Sequence, residues 1–501
     1  MLDTMVTEIK QSKYYSIILD CTPDVSHQEQ MSVIIRTVIM DEAPTIKEHF
    51  LGFLVASETT GLGLSSLILN RLKELNIPFD NCRGQSYDNG ANMKGRNRGV
   101  QARLLQKNPR ALYVPCVSHS LYLVVADAAK ASTDAISYFG NVQKLYTLFS
   151  AAPQRWAILK EHLTFALKSW SDTRWESRVN SIEAVRYQAP NIREVLLEVS
   201  DKVTDPLTKV EAQSLAEEVG SYRFLICTVV WYDILHHVNH VSKLLQSATM
   251  QLDVAVDLLT KANMFLTRYR DTGFAAAQAT AKDMCEEINV EAVLKEKRMR
   301  STKKHFAYEA PDEPIADAMK RLETTFFNVV VDTTIESLKD RFETLGEVRA
   351  RFGVLLNLKK LDRVELCNQC DKLCSTLSTG DGGDIDGKEL ALEITNLPSL
   401  PTCEMTALEL LSFIHKKNLN ELYPNLWIAL RIACTLPVTV AAAERSFSKL
   451  KLIKTYLRSC MGQDRLTGLA IISINHKIGK QLSYDDIIDD FASKKARKQK
   501  F

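Results

Sequence analysis

An excess of charge of one sign is missing from this sequence. Its 63 Lys and Arg face 61 Asp and Glu, a formal net charge of +2, so electrostatics alone gives no argument for a nucleic-acid partner. Long apolar runs are missing too: the longest, such as residues 225–232, fall far short of the roughly 18 residues that a membrane span needs. Residues 1–10 (MLDTMVTEIK) carry no secretory pattern. A soluble, intracellular protein with no membrane partner is expected. Cysteine is thin and odd in number, eleven in 501 residues, which does not resemble the dense pairing of secreted scaffolds and predicts mostly reduced thiols. What is present is an ordinary globular composition, 46% hydrophobic and 25% charged. That is enough for a large core shared among roughly two to four domains.

The first third alternates between strand and helix patterns. Residues 14–19 (YYSIIL) form a short apolar run of β-branched and aromatic residues that ends in Asp20 and a turn. Two more strand-like runs follow at 31–40 and 49–56, separated by a turn at Pro44. A helical spacing at 63–75 precedes a short strand at 82–88 with Asp88 near its end; a basic helix over 97–107, a strand at 111–115 and a helix from 116 complete the order β-β-β-α-β-α-β-α. From about 163 to 361 the 3.6-residue period takes over, with Ile234, Leu235, Val238, Val241, Leu244, Leu245 and Ala248 on one helix face. Residues 377–387 (LSTGDGGDIDG) are the clearest loop, and 310–314 a weaker break. Four helices are expected at 407–415, 426–434, 440–457 and 463–475, and residues 494–500 (KKARKQK) are basic. No internal repeat is visible.

Asp20 and Asp88 each end a strand-like run, and neighbouring strands in one sheet place such residues side by side. Two unit charges about 4 Å apart repel by roughly 4 kcal/mol at an effective dielectric near 20. Clustered carboxylates therefore need a cation. Oxygen ligands suit Mg²⁺, and two such ions clamp the attacking and leaving oxygens of a phosphodiester displacement. By spacing alone, the favoured reading is that both acids only cap strands or turns.

The third segment is residues 439–450 (TVAAAERSFSKL), where small residues precede Glu444 at the opening of a helix. The motifs Leu19-Asp20-Cys21-Thr22, Ser86-Tyr87-Asp88-Asn89-Gly90-Ala91-Asn92-Met93, Cys116-Val117-Ser118-His119, Asp172-Thr173-Arg174-Trp175 and Ala443-Glu444-Arg445-Ser446-Phe447-Ser448 stand in this order. In that order the chain resembles a hAT-superfamily DDE transposase or a domesticated derivative of one. The resemblance implies an α/β RNase H-like core interrupted by a large all-helical insertion, with Asp20, Asp88 and Glu444 as metal ligands for Mg²⁺ or Mn²⁺. It places Cys116 and His119 beside the active site with Arg445, and gives Trp175 a base to stack on, worth about 1–3 kcal/mol, with Arg174 on a nearby phosphate. The expected division is 1–162 for the first part of the core, 163–403 for the insertion, 404–480 for the returning core helices and dimerisation region, and 481–501 for a basic tail.

Other candidates carry weaker signals. Cys116 and His119 suggest at most half of a zinc site, which usually needs four ligands, and a packed Cys with a hydrogen-bonded His is the favoured reading. Cys367, Cys370 and Cys374 share a helix face and commonly bury as small apolar groups. His236 and His240 are one turn apart without the interposed Glu of a zinc protease helix. Lys94, Arg96, Arg98 and Arg103 either track DNA phosphates or form a solvated face. The helices around 426–436 and 466–474 are apolar nearly all round and must be covered, by the chain's own core or by a second subunit.

No zinc-finger module precedes Asp20, so a fragment, a truncated gene or a domesticated descendant is expected. Three functions from different classes follow: a Mg²⁺-dependent DNA strand-transfer enzyme, a nuclear or also cytoplasmic regulatory factor that dimerises and has lost catalysis, and a helical scaffold whose acids are accidental. The first two take DNA as partner and form a homodimer or higher oligomer.

Overall fold

In the computed structural model the apolar run at the first acid becomes β1 (Tyr15–Pro23), the central strand of a five-stranded sheet. The structure describes residues 1–168, 175–294, 317–356, 358, 361–380, 382–398 and 405–493, without the side chains of 175–177. A helix not foreseen from sequence, α1 (Leu2–Ser12), precedes β1, and β2 (Glu29–Met40) and β3 (Pro44–Val55) follow it as an antiparallel meander. After α2 (Gly61–Glu74), β4 (Cys82–Ser86) returns parallel to β1, and β5 (Leu112–Tyr113) parallel to β4, giving the order β3-β2-β1-β4-β5. The helices between β4 and β5 are α3 (Ala91–Lys94) and α4 (Val100–Lys107), and α5 (Val117–Lys130) leaves the sheet. β1 is buried on both faces through Leu19, which is why it appears as a continuous apolar run rather than an alternating one.

Three expectations are corrected here. Pro44 is the first residue of β3, paired with Met40, and the turn lies just before it. Because β3 is an edge strand, the missing proline N–H costs no ladder bond. The helix expected from 97 begins at Val100, so Arg96 and Arg98 stand in the Gly95–Gly99 turn. The tail expected to be basic from 481 contains an acidic amphipathic helix, Asp485–Ser493; residues 494–500 lie outside the described residues.

Contacts divide the chain into two units. One takes in Met1–Ser118, Leu245–Val256 and Thr344–Phe501, the other His119–Leu244 and Asp257–Glu343. The second is helical throughout its described elements: most of α5, then α6 (Thr133–Ser150), α7 (Pro153–His162), α8 (Trp175–Lys202), α9 (Pro206–Val219), most of α10 (Tyr222–Leu245) and of α11 (Leu252–Glu287), α12 (Ala318–Leu322) and most of α13 (Asn328–Arg351). Its core is aromatic at the centre, with the buried Trp231 ring 4.6 Å from that of Phe139. The helical unit thus opens at His119, before the strand signals fade near 163, because α6 buries Tyr138, Phe139, Val142, Leu145 and Leu148 within it.

The chain then rejoins the sheet unit with α14 (Arg363–Thr376), α15 (Gly387–Thr395), α16 (Ala407–Lys416), α17 (Pro424–Thr435), α18 (Ala441–Ile453) and α19 (Gln463–Ile474). α17 and α18 pack on β1 and β2, and α19 on β3. Leu426, Ala429, Leu430, Ile432 and Leu466 are completely buried. Much of the apolar surface that sequence left open to a second subunit is therefore covered by the chain's own sheet. The helix expected over 440–457 stops at Ile453, and a short 3₁₀ turn, Tyr456–Arg458, follows Lys454.

Candidate functional site

The register of the sheet brings the first two acids together. Ile18 and Ser86 are the last registered pair of the parallel strands β1 and β4, and Asp20 and Asp88 each lie two residues beyond them. Side chains two apart on a strand share a face. Tyr87, between Ser86 and Asp88, turns inward and donates its hydroxyl to Gln85 Oε1 at 2.7 Å. Gly90 keeps the space beside the second acid open: a Cβ there would lie 3.2 Å from Asp88 Oδ2.

Glu444 arrives from the far end of the chain in the first turn of α18. Opposite Asp20 on β2 stands Ser32, whose hydroxyl lies 2.8 Å from that of Ser446 in a buried contact. Ser446 donates its own proton to Ala443 O at 2.6 Å, so Ser32 is the donor of the pair. Next to it the Phe447 ring stacks on Phe53 at 5.8 Å, and Phe53 is the β3 partner of Ser32. These two contacts seat the opening of α18 over the sheet beside Asp20.

The electrostatics reflect this convergence. Burial, then the negative charge of Glu444, then that of Asp88 push the Asp20 carboxyl up to about 8, against a hydrogen bond from the Cys21 N–H at 2.9 Å. Desolvation by surrounding protein also raises Glu444, and the Arg445 guanidinium opposes it, although Glu444 as a whole is exposed to solvent. Among the described residues no group of three His, Cys, Asp or Glu side chains is arranged to hold a metal ion as it stands. The donor chemistry nevertheless fits a hard divalent cation: carboxylate oxygens only, like charges in need of compensation, and room beside Asp88.

The remaining candidates are scattered. Cys116 is buried, and its sulfur accepts the Val440 N–H at 3.5 Å, four residues before Glu444. Val117 N–H donates to Val438 O at 3.1 Å and Ser118 Oγ lies 3.3 Å from Thr439 Oγ1, so this strand-like contact holds the entry to α18. His119 belongs to the helical unit, with its ring 6.2 Å from that of Tyr122. Arg445 donates to Gln246 O at 3.3 Å and lies 3.8 Å from Glu48. Lys94 closes α3 and is half-buried, while Arg96 and Arg98 are exposed. Arg174 lies outside the described residues, as does the side chain of Trp175 at the start of α8. On α14, Cys370 is buried while Cys367 is exposed, so those cysteines do not present one common buried face. His237, between His236 and His240, stacks on Phe265 at 3.8 Å. All ten described cysteines are free thiols.

Sequence reasoning missed the groups that hold this arrangement. Lys454 and Asp24 form a buried ion pair at 2.7 Å, their side chains 2% and 1% exposed. Asp24 also accepts from Ser26 N at 2.7 Å and Gln30 Nε2 at 2.9 Å. Arg36, buried in β2, donates to Ala248 O and Met250 O at 2.7 Å each and pairs with Glu48 at 3.1 Å. No local spacing marks such residues, because the partners that bury them, Lys454 for Asp24 and Ala248 and Met250 for Arg36, lie hundreds of positions away.

Comparison with known proteins agrees with the two ends of this assembly. Residues 1–99 match the family model described as the ZMYM1/FAM200 RNase-like domain, and residues 391–478 match the hAT family C-terminal dimerisation region. The chain is also similar to the 52 kDa repressor of the inhibitor of the protein kinase of Mus musculus and to that of Homo sapiens, each at 22% identity over 97% of this chain. It spans 64% of the length of those relatives. The chain thus matches an RNase-like domain at one end and a hAT-family dimerisation region, which takes in α18 and α19, at the other, with the long helical stretch between the two matches.

Proposed function

We propose that this chain is a hAT-derived DNA-acting protein whose sheet is an RNase H-like core and whose Asp20, Asp88 and Glu444 form a DDE centre for phosphodiester cleavage and strand transfer. The observation that supports the reading most is the packing of α18, with Glu444 in its first turn, on β1 and β2 through the buried Ser32–Ser446 hydrogen bond of 2.8 Å; the Asp20 carboxyl, raised by burial and then by Glu444 and Asp88, agrees with it. Mg²⁺ or Mn²⁺, held by these three carboxylates, would activate the attacking oxygen and stabilise the leaving one. Asp20 and Asp88 supply ligands fixed by the sheet, and Glu444 supplies one from a helix that Ser446 and Phe447 orient. Cys116 supports the start of that helix, and Arg445 offsets the negative charge at Glu444. Arg96 and Arg98 on the exposed turn after Asp88, with Lys94, face the DNA backbone. Arg174 and Trp175 take the phosphate and the base. The protein acts in the nucleus as a homodimer.

Incubation of the purified protein with terminal-repeat or nicked DNA and Mg²⁺ should give cleavage that is lost in Glu444→Gln. Equal cleavage by both proteins would reject the assignment.

A second reading, a regulatory factor that binds DNA and no longer cleaves it, is favoured by the repressor names of the two relatives and by the absence, among the described residues, of three ligands already arranged for a metal. It predicts DNA binding that is unchanged in Asp20→Asn and Asp88→Asn.

A further inference from the structure

Most apolar helical surface in residues 391–478 is used up inside the chain, since α17 and the buried face of α19 lie on the sheet. A dimerising surface must therefore come from what that packing leaves outside. Tyr456 and Leu457, 85% and 92% exposed, are the two most exposed large apolar side chains among the described residues, and Leu452, 70% exposed, lies four residues before Tyr456.

This patch is not loose. Between Leu452 and Tyr456 the Lys454 side chain dives inward to the buried Asp24 carboxylate. On the other side Ser26 Oγ donates to Ser459 O at 2.9 Å. Those two bonds clamp the 3₁₀ turn against the β1–β2 hairpin, whose tip shows Val25, 43% exposed. A stable monomer gains nothing by pinning an aromatic and two leucines toward water, and clustered exposed apolar side chains mark contact sites. An aromatic anchor fixed before binding is the type of group that dominates interface energetics, because little ordering remains to oppose association.

We infer that Val25, Leu452, Tyr456 and Leu457 form the contact surface for a second copy of this chain, held ready by the Asp24–Lys454 pair. The occupant is a second copy because Leu452, Tyr456 and Leu457 lie inside the segment that matches a dimerisation region, with Val25 brought beside them by the Ser26–Ser459 and Asp24–Lys454 bonds; the inference rests on the dimeric part of the proposed function and adds the surface. A two-fold interface repeats each anchor twice.

The test is light scattering on the full chain across a concentration series. The wild type should be a dimer. Tyr456→Ser combined with Leu457→Ser should weaken the dimer at least about 100-fold while leaving the melting temperature of the diluted protein unchanged. Ile472→Ser, on the exposed face of α19, should leave the dimer intact. A dimer that survives the double variant, or one that Ile472→Ser disrupts instead, overturns this surface but leaves dimerisation standing. A monomeric wild type overturns both.

Discussion

Ser32 and Ser446 stand 414 residues apart in sequence and share a buried hydrogen bond of 2.8 Å. Ser32 faces Asp20 across the β1–β2 ladder, and Ser446 follows Glu444 by two residues. Ser446→Ala leaves the Ser32 hydroxyl buried without this acceptor, which should cost about 1–3 kcal/mol. Urea denaturation measures it, and the Ser32→Ala, Ser446→Ala double variant should recover part of the loss. Additive losses would show that the contact does not hold the helix.

The Asp24–Lys454 pair gives a larger effect with a defined pH dependence. Burial pushes the Asp24 carboxyl up, but the Lys454 ammonium and the donors from Ser26, Gln30 and Gln28 outweigh it, so its pKa is lowered. A depressed carboxyl contributes stability that is complete above its unfolded value, about 3.9, and lost as pH falls through the lower folded value. Lys454→Met should cost roughly 3–5 kcal/mol at neutral pH by leaving a buried charge unpaired. The difference from wild type should shrink in acid. A Lys454→Met melt indistinguishable from wild type at pH 7 would contradict the account.

Asp20 acts in the opposite direction. Its folded carboxyl holds a proton up to about 8, whereas the unfolded one releases it near 3.9. The folded state binds the extra proton between those limits, so stability declines as pH rises across that window, by up to about 1.4 kcal/mol per pH unit. Asp20→Asn should be more stable than wild type at pH 8, and the two should converge near pH 4. Mg²⁺ at ~100 times its Kd should add about 2.7 kcal/mol to the wild type and far less to Asp20→Asn. Calorimetry with and without Mg²⁺ decides; identical pH profiles would refute the clustering of the acids.

Gly61 opens α2 where the turn carrying Arg96 and Arg98 crosses it. A Cβ at Gly61 would fall 2.2 Å from Arg98 O and 2.9 Å from Gly99 Cα, and backbone cannot yield as a side-chain tip does. Gly61→Ala should therefore cost about 1–3 kcal/mol and displace the basic turn, reducing DNA affinity at low salt. Unchanged melting and binding would show that the turn adjusts freely.

The strands were legible because apolar runs with β-branched residues and terminal acids signal buried strands directly, and the acids at 20 and 88 fall where parallel pairing puts them. Position of α18 was legible only through resemblance: nothing local in AAAERSFSKL says that it returns to β1. α1 escaped notice because MLDTMVTEIKQS presents few apolar residues, of which Met5, Val6 and Ile9 are the buried ones. Arg36, Asp24 and Lys454 look like surface charges in sequence, since a buried ion pair differs from a solvated one only in its distant partner. The apolar helix at Pro424–Thr435 announced burial but not its cover. That depends on the sheet face left open after the first hundred residues fold.

The Gly- and Asp-rich stretch around Gly380 has the composition of a hinge, yet its Asp384 grips Arg83 of β4 through two bonds of 2.6 Å and meets Arg110 at 3.3 Å. A protease that nicks the tip would therefore release nothing: the fragment bearing Glu444 stays bolted to the fragment bearing both aspartates. The same fastening makes this tip the natural place to divide the chain into two separately expressed halves that reassemble on mixing.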